Sequence, residues 1–347
     1  MNQIDVLSKV KDKIHQNPQH PLNKFPKYYR TFMDEFFMAT EKREVSTKEL
    51  SVFFRKLQLN GNYNRATYCQ GIFEILFFIY FANMNFDFCT EKKVATTGNY
   101  DVDFQIKCEY TFNVEIKCPN VSDTPSGNKI RIHPEFRTID KETFQVALDT
   151  LETDLFRPAL LKPELEYDGF TIDKMNDNKL VEYLKSAQNK FPHSTAEVCN
   201  ILVIGTTTKE IQAYYSYLCN GFTGIFSGKD PIMPSEKYSN VDVVILSNMV
   251  DGHYSQIDEF NPWRLENYFN LMLVNPHNIS KSCNARKKLL EIIPNSTREF
   301  EEFFDVFYEA AKLEAQEKKC PGLEEDLMML LFPHYFDKYY PTFWRRK

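Results

Sequence analysis

The sequence predicts an α/β fold in which a mixed β-sheet is flanked by helices. Two neighbouring segments within residues 99–119 alternate polar and apolar side chains, which is the pattern of half-buried strands. Two short apolar runs, 199–205 and 241–246, are typical of fully buried strands. Before the first of these runs, Asn178–Phe191 has its apolar residues on one stripe, as an amphipathic helix does.

This pattern divides the chain into three regions. We expect residues 1–60 to form a helical N-terminal extension, residues 61–250 to form the sheet-containing core, and residues 251–347 to form a helical C-terminal region. An insertion in the core is expected at about 120–176, because the segment between the second strand and the next helix is longer than a minimal core needs. Two prolines in this segment interrupt any long helix.

The helices themselves are predicted from apolar periodicity and capping residues, at Val6–His15, Tyr28–Met38, Lys48–Leu57, Ala66–Ala82, Asn178–Phe191, Pro262–Leu273, Asn284–Ile292, Ser296–Lys318 and Gly322–Leu331. The third is expected to be capped by Ser46 or Thr47. The fourth contains the apolar run 72–82, which is too short to span a bilayer and indicates a core helix. Glu74 interrupts that run. Because an ionised glutamate is almost never buried alone, Glu74 requires an arginine, a lysine or a metal ion unless it is partly exposed.

Residues 99–119 are predicted to form a β-hairpin that carries two acids and a lysine. Apolar residues on each strand are expected to face a core: Val102, Phe104 and Ile106 on the first strand, and Phe112, Val114 and Ile116 on the second. A reversal centred near Glu109 would place Asp103 directly across from Glu115, where like charges repel. A divalent cation between them would remove that repulsion, and Lys117 could hold a water molecule or a phosphate oxygen, as phosphodiester hydrolysis requires. Ordinary charges on a solvent-facing hairpin are the alternative.

A helix with an internal Glu, then a strand with Asp, then a strand with Glu-x-Lys resembles the PD-(D/E)XK nuclease superfamily, which has a restriction-endonuclease-like core. The resemblance implies that Asp103 and Glu115 hold one or two magnesium ions, for which manganese can substitute, and that Lys117 orients or activates the attacking water. Glu74 matches the acid that many members carry on the first core helix, and would be a third metal ligand. Val102 stands where the family usually has proline.

The order of elements is also similar to that family, whose core runs helix, three strands, helix, strand. Asn178–Phe191 would be the second helix of this order, and the run 199–205 would be the strand after it. An Ala-Gln pair in this helix resembles many members and makes Gln188 a further candidate for the active site.

The charge of the chain neither requires nor excludes a nucleic-acid substrate. The net charge is −6, whereas strong non-specific DNA binders are more often basic. Positive charge is concentrated locally, and the segment after Lys117 is the best placed because the hairpin brings it to the edge of the site. Lys129, Arg131 and Arg137 in that segment are therefore predicted to contact nucleic acid.

The cysteines and the N-terminus favour a cytoplasmic protein. Eight cysteines form no C-x-x-C pair, and the first residues contain no apolar signal region. Reduced thiols are therefore expected, and zinc is not, because no cysteine or histidine pair has ligand spacing. The aromatic tail, residues 332–344, is expected to pack back onto the protein; a partner surface or stacking on bases are the alternatives.

The resemblance therefore implies a magnesium-dependent DNA endonuclease, with restriction or antiphage defence as its context. Double-strand cleavage with one site per chain favours a homodimer, the acidic surface is compatible with an activating partner protein, and no membrane contact is expected. Two alternatives remain open. One is a nucleotidyltransferase-like enzyme that uses Asp101, Asp103 and Glu115, although its usual Gly-Ser turn is missing. The other is a non-catalytic scaffold that binds a partner protein through its helical flanks.

Overall fold

The computed structural model describes residues 26–43, 45–59, 63–94, 101–119, 130–132, 170–172, 176–220, 224–226, 231–254, 260–278 and 283–317, with shorter pieces within 8–24 and 331–340. Its helices are α1 Pro21–Lys24, α2 Pro26–Arg43, α3 Thr47–Lys56, α4 Arg65–Asn83, α5 Asn176–Lys190, α6 Thr208–Cys219, α7 Met249–Tyr254, α8 Cys283–Ile292 and α9 Thr297–Glu317. Its strands are β1 Asp87–Lys93, β2 Asp101–Lys107, β3 Thr111–Lys117, β4 Ile130–Ile132, β5 Phe170–Ile172, β6 Val198–Gly205, β7 Val243–Ser247 and β8 Asn270–Val274.

Six of the strands form one mixed sheet, which confirms the predicted fold class. The order across the sheet is β1-β2-β3-β6-β7-β8. β3, β6 and β7 are parallel to one another, whereas β1, β2 and β8 are each antiparallel to their neighbours. The short strands β4 and β5 form a separate parallel pair. In chain order the centre of the protein therefore runs α4, β1, β2, β3, α5, β6, with the small pair between β3 and α5.

Helices cover both faces of this sheet and form two hydrophobic cores with it. α2, α3, α4 and α8 pack on one face, where the buried side chains of α4 are in the same cluster as alternate residues of β3 and β6. α5, α6 and α9 pack on the other face. α4 is apolar nearly all round because it lies between the sheet and helices α2 and α3, so almost every one of its faces is buried. No helix among the described residues is both long and apolar enough to span a bilayer.

Most of the predicted helices are confirmed, and one is wrong. The capping box at the start of α3 is formed by Ser46 and Glu49. Where Pro262–Leu273 was predicted to be a helix, the chain instead makes a short 3₁₀ turn and then strand β8. The apolar residues of that segment pair with β7, and this tertiary pairing decides between two elements that the same short apolar run fits. β1 and α6 were not predicted. Of the predicted helices, Val6–His15 lies partly, and Gly322–Leu331 almost entirely, outside the described residues.

The described positions of the aromatic tail pack back onto the protein, as predicted. Tyr335 and Phe336 are buried in the core that contains α9. Phe336 makes an edge-to-face contact with Phe269, at 5.0 Å between ring centroids, and Tyr335 makes one with Phe300, at 5.2 Å. These contacts anchor the end of the described chain on the α5–α6–α9 face of the sheet.

Candidate active site

The hairpin of β2 and β3 has the predicted register, and it opens at Asp103. The paired residues run from Lys107–Thr111 to Phe104–Val114, so the reversal is centred on Glu109. Beyond this last pair, the carboxylate of Asp103 accepts a hydrogen bond from the backbone N–H of Ile116 at 2.7 Å. A side chain thus takes the place that a backbone carbonyl would occupy if the ladder continued.

The pairing of β2 with β1 is also interrupted at Asp103. One prediction made from the sequence is corrected here. β1 and β2 pair on either side of Asp103, and opposite it Glu91 has a positive φ of 49°. Across this break, Val102 lies in the core that contains α5, whereas Phe104 lies in the core that contains α4. The prediction that Val102 faces the same core as Phe104 is therefore wrong.

Glu115 lies at the centre of the site. Its side chain is 0% exposed. Its Oε1 atom accepts from Lys117 Nζ at 2.5 Å and from Lys190 Nζ, at the end of α5, at 2.6 Å. Its Oε2 atom is buried and has no hydrogen-bond partner among the described residues. A buried carboxylate oxygen without a partner is costly, and such atoms call for a specific explanation such as an ion or a water molecule that binds there.

Glu74 is buried, and its partner is a lysine. Lys56 at the end of α3 forms an ion pair with Oε2 of Glu74, which satisfies the requirement predicted for this glutamate. Gln70, one turn earlier on α4, donates to Glu74 Oε1 at 3.0 Å and to the carbonyl of Ile116 at 2.8 Å. The side-chain oxygen of Gln70, Oε1, also accepts a hydrogen bond from the backbone N–H of Cys118 at 2.9 Å. α4 is therefore joined to the end of β3 that carries Lys117.

The electrostatics show that these carboxylates lie close enough to repel one another. The pKa of the Asp103 carboxyl is raised well above its usual range, first by burial and then by the charges of Glu74 and Glu115. The hydrogen bond from Ile116 and the charge of Lys190 offset only part of this rise. For the lysines, burial opposes the charged form, but the acids outweigh it and raise the pKa of Lys117 and of Lys56.

The donor set suits magnesium without forming a complete cage. Within the described ranges, no three His, Cys, Asp or Glu side chains come together as a group that could hold a metal ion. Magnesium, however, is commonly bound by only one or two carboxylates, with water and substrate phosphate completing its coordination. Asp103 and the open Oε2 atom of Glu115 are the donors that fit this requirement. Glu74 is engaged by Lys56 and Gln70, so it is better described as shaping the charge around Asp103.

Gln188 has no described contact with the acidic residues of the site. Its side-chain oxygen accepts from the N–H of Asn240 at 2.7 Å, and its nitrogen donates to Ser239 Oγ at 3.3 Å. These bonds tie α5 to the segment before β7. Lys190, two residues further along the same helix, is the α5 residue that contacts Glu115.

The other candidates are only partly described. Arg131 falls in β4, and Lys129 and Arg137 lie outside the described residues. Asp101, at the start of β2, has a buried oxygen without a hydrogen-bond partner in the described parts of the chain. It has no described contact with Asp103 or Glu115.

Sequence reasoning missed Lys56, Lys190 and Gln70. Because Glu74 needs a cation, the sequence indicated that a residue such as Lys56 must lie beside it. It did not indicate which lysine or arginine that residue is. Lys190 is 75 positions from Glu115 along the chain, and neither periodicity nor a motif links the two. Only the packing of α5 against the sheet brings Lys190 to the site.

Comparison of the chain with protein-family models, with curated proteins and with solved structures found no match.

Proposed function

We propose that this protein is a magnesium-dependent nuclease that hydrolyses phosphodiester bonds in DNA. The observation that carries the proposal is the convergence of Asp103, Glu115 and Lys117 where β2 separates from β3, with one oxygen of the buried Glu115 left without a partner among the described residues. The order α4, β1, β2, β3, α5, β6 further supports it, since the PD-(D/E)XK resemblance implies helix, three strands, helix, strand.

Each residue has a role that follows from its surroundings. Asp103 and Glu115 would hold the metal ion, with Glu74 raising the local negative charge. When bound, the ion would supply Lewis-acid activation of the phosphate and a hydroxide nucleophile. Lys117 is charged, its side chain is 22% exposed, and it can donate to the attacking water or to a phosphate oxygen. Manganese would substitute for magnesium, because it too prefers carboxylate and water ligands.

The wider context belongs to the same proposal. Lys129, Arg131 and Arg137 would contact the DNA backbone, and restriction or antiphage defence in the cytoplasm would be the setting. A homodimer or an activating partner protein would fit cleavage of both strands.

A plasmid assay tests the proposal directly. Supercoiled plasmid is incubated with the purified protein in magnesium, in EDTA, and in magnesium with the Lys117→Ala variant. We expect nicking or linearisation that EDTA abolishes and that Lys117→Ala lowers by about 10²–10³-fold, the usual effect of removing one group that stabilises developing charge. The variant should remain folded, because Lys190 still neutralises Glu115.

Lys107→Ala is the matched control. Lys107 lies at the opposite end of the hairpin and is exposed, so this variant should cleave as the unaltered protein does. Loss of folding in Lys117→Ala would show that this lysine is structural. No cleavage of plasmid, phage DNA or RNA by the folded wild-type protein, together with no magnesium binding, would leave the scaffold interpretation.

A further inference from the structure

The crowding of positive charge around Glu115 has a consequence for substrate binding. Lys117 and Lys190 approach the same carboxylate oxygen from different elements, at 2.5 and 2.6 Å. The other oxygen has no hydrogen-bond partner among the described residues. Two ammonium groups therefore already occupy one side of the carboxylate that the proposed function assigns to a metal ion.

A divalent cation at Glu115 would be repelled by both lysines, and the repulsion is strong because the carboxylate is excluded from water. The two lysines differ in how they can respond. Lys117 is fixed to β3 only two residues from Glu115. Lys190 is the last residue of α5, and its side chain is 19% exposed, so its flexible stem can turn away without moving a strand.

We propose that Lys190 is a substrate-binding residue that exchanges one anion for another. In the metal-free protein it neutralises Glu115, and once a divalent cation occupies Glu115 it binds a phosphate oxygen of the nucleic-acid backbone. A displaced ammonium group at the edge of the site needs a new anion, and the phosphate beside the metal provides it. Metal and nucleic acid then strengthen the binding of each other, and this coupling is reciprocal. The inference rests on the proposed function and deepens it.

The test is the affinity for manganese, measured by calorimetry on the full-length protein without nucleic acid. Lys190→Met keeps the length of the stem and removes the charge. Because a competing cation is removed, this variant should bind manganese at least about tenfold more tightly than the wild type. Lys190→Arg retains the charge and should behave as the wild type does. Lys185→Met removes an exposed lysine from the same helix and should leave the affinity unchanged.

The same titration is repeated with a short DNA duplex that carries phosphorothioate linkages. The duplex should raise the manganese affinity of the wild type by about fivefold or more, in the range usual for coupled sites. It should not do so for Lys190→Met, whose KM for DNA should rise in the cleavage assay.

Unchanged or weaker manganese binding by a folded Lys190→Met protein, with the wild type binding metal and cutting DNA, would overturn the exchange and leave the nuclease proposal intact. Lys190 would then be a structural partner of Glu115. A wild-type protein that neither binds manganese nor cuts any nucleic acid would overturn both, so the two failures are distinguishable.

Discussion

The two acids that approach each other across the hairpin should respond in opposite ways to the same chemical change. Asp103→Asn and Glu115→Gln each replace a carboxylate by an amide of nearly the same shape. Asp103 has a raised pKa, so its charged form is less favourable in the folded protein than in the unfolded chain. Glu115 instead has two lysines on one oxygen. At neutral pH and without metal, the first change should therefore stabilise the fold and the second should destabilise it.

The magnitudes follow from the contacts. The amide introduced by Asp103→Asn would still accept the hydrogen bond from Ile116 while removing the repulsion from Glu74 and Glu115. Relief of such electrostatic strain commonly adds about 1 kcal/mol to the free energy of unfolding. Glu115→Gln weakens two charge-assisted hydrogen bonds, which are worth about 1.5–3 kcal/mol each. The amide oxygen still accepts from the lysines and the repulsion on Asp103 falls. We therefore expect a net loss of roughly 2 kcal/mol, below the full cost of breaking a buried pair.

Urea unfolding in EDTA, followed by circular dichroism, measures both changes. Glu302→Gln, at an exposed position of α9, is the control and should stay within about ±0.5 kcal/mol of the wild type. The advantage of Asp103→Asn should shrink as the pH falls, because a carboxyl with a raised pKa takes up its proton in the folded state first. Equal destabilisation by both amides, or an Asp103→Asn protein less stable than the wild type, would show that the charge of Asp103 does not destabilise the folded protein.

Two further predictions concern the stability of the fold. Burial lowers the pKa of His253 to about 3, so the stability that its neutral form provides is present above the unfolded value of 6.5 and is lost as the pH falls towards 3. Between pH 6.5 and pH 5, the free energy of unfolding should fall by about 2 kcal/mol more for the wild type than for His253→Gln, at roughly 1.4 kcal/mol per pH unit. Parallel pH profiles of the two proteins would contradict this. A Cβ atom at Gly71 would clash with the carbonyl oxygen of Lys56, so Gly71→Ala should push α3 from α4, lower stability by about 1–3 kcal/mol, and weaken the pairing of Lys56 with Glu74. Stability measured by urea unfolding would instead rise if the two helices had room for a methyl group.

The hairpin was predictable because its information is local. Alternation with a period of two identifies both strands, and the centre of the reversal then fixes which residues approach each other. The change of face at Val102 was not predictable. It accompanies a positive φ at Glu91, and a glutamate in the sequence does not indicate such a backbone conformation. The prediction for the segment that contains β8 was wrong for a different reason. Its short apolar run fits a helix or a strand, and only the presence of β7 beside it decides.

The acids of the site could be predicted from local sequence, whereas two of its lysines could not. Asp103 and Glu115 could be placed from sequence since one hairpin holds both, whereas Lys190 reaches Glu115 across 75 positions of the chain. Lys56 is paired with Glu74, and both Lys117 and Lys190 are paired with Glu115, while the pKa of Asp103 stays raised. Under the proposed function, the acids then determine whether a metal binds at all, and the lysines determine how tightly it binds before substrate arrives. Substitution of Asp103 or Glu115 should abolish metal binding, whereas substitution of Lys117 or Lys190 should shift the affinity, so affinity measurements alone can separate the two groups of residues.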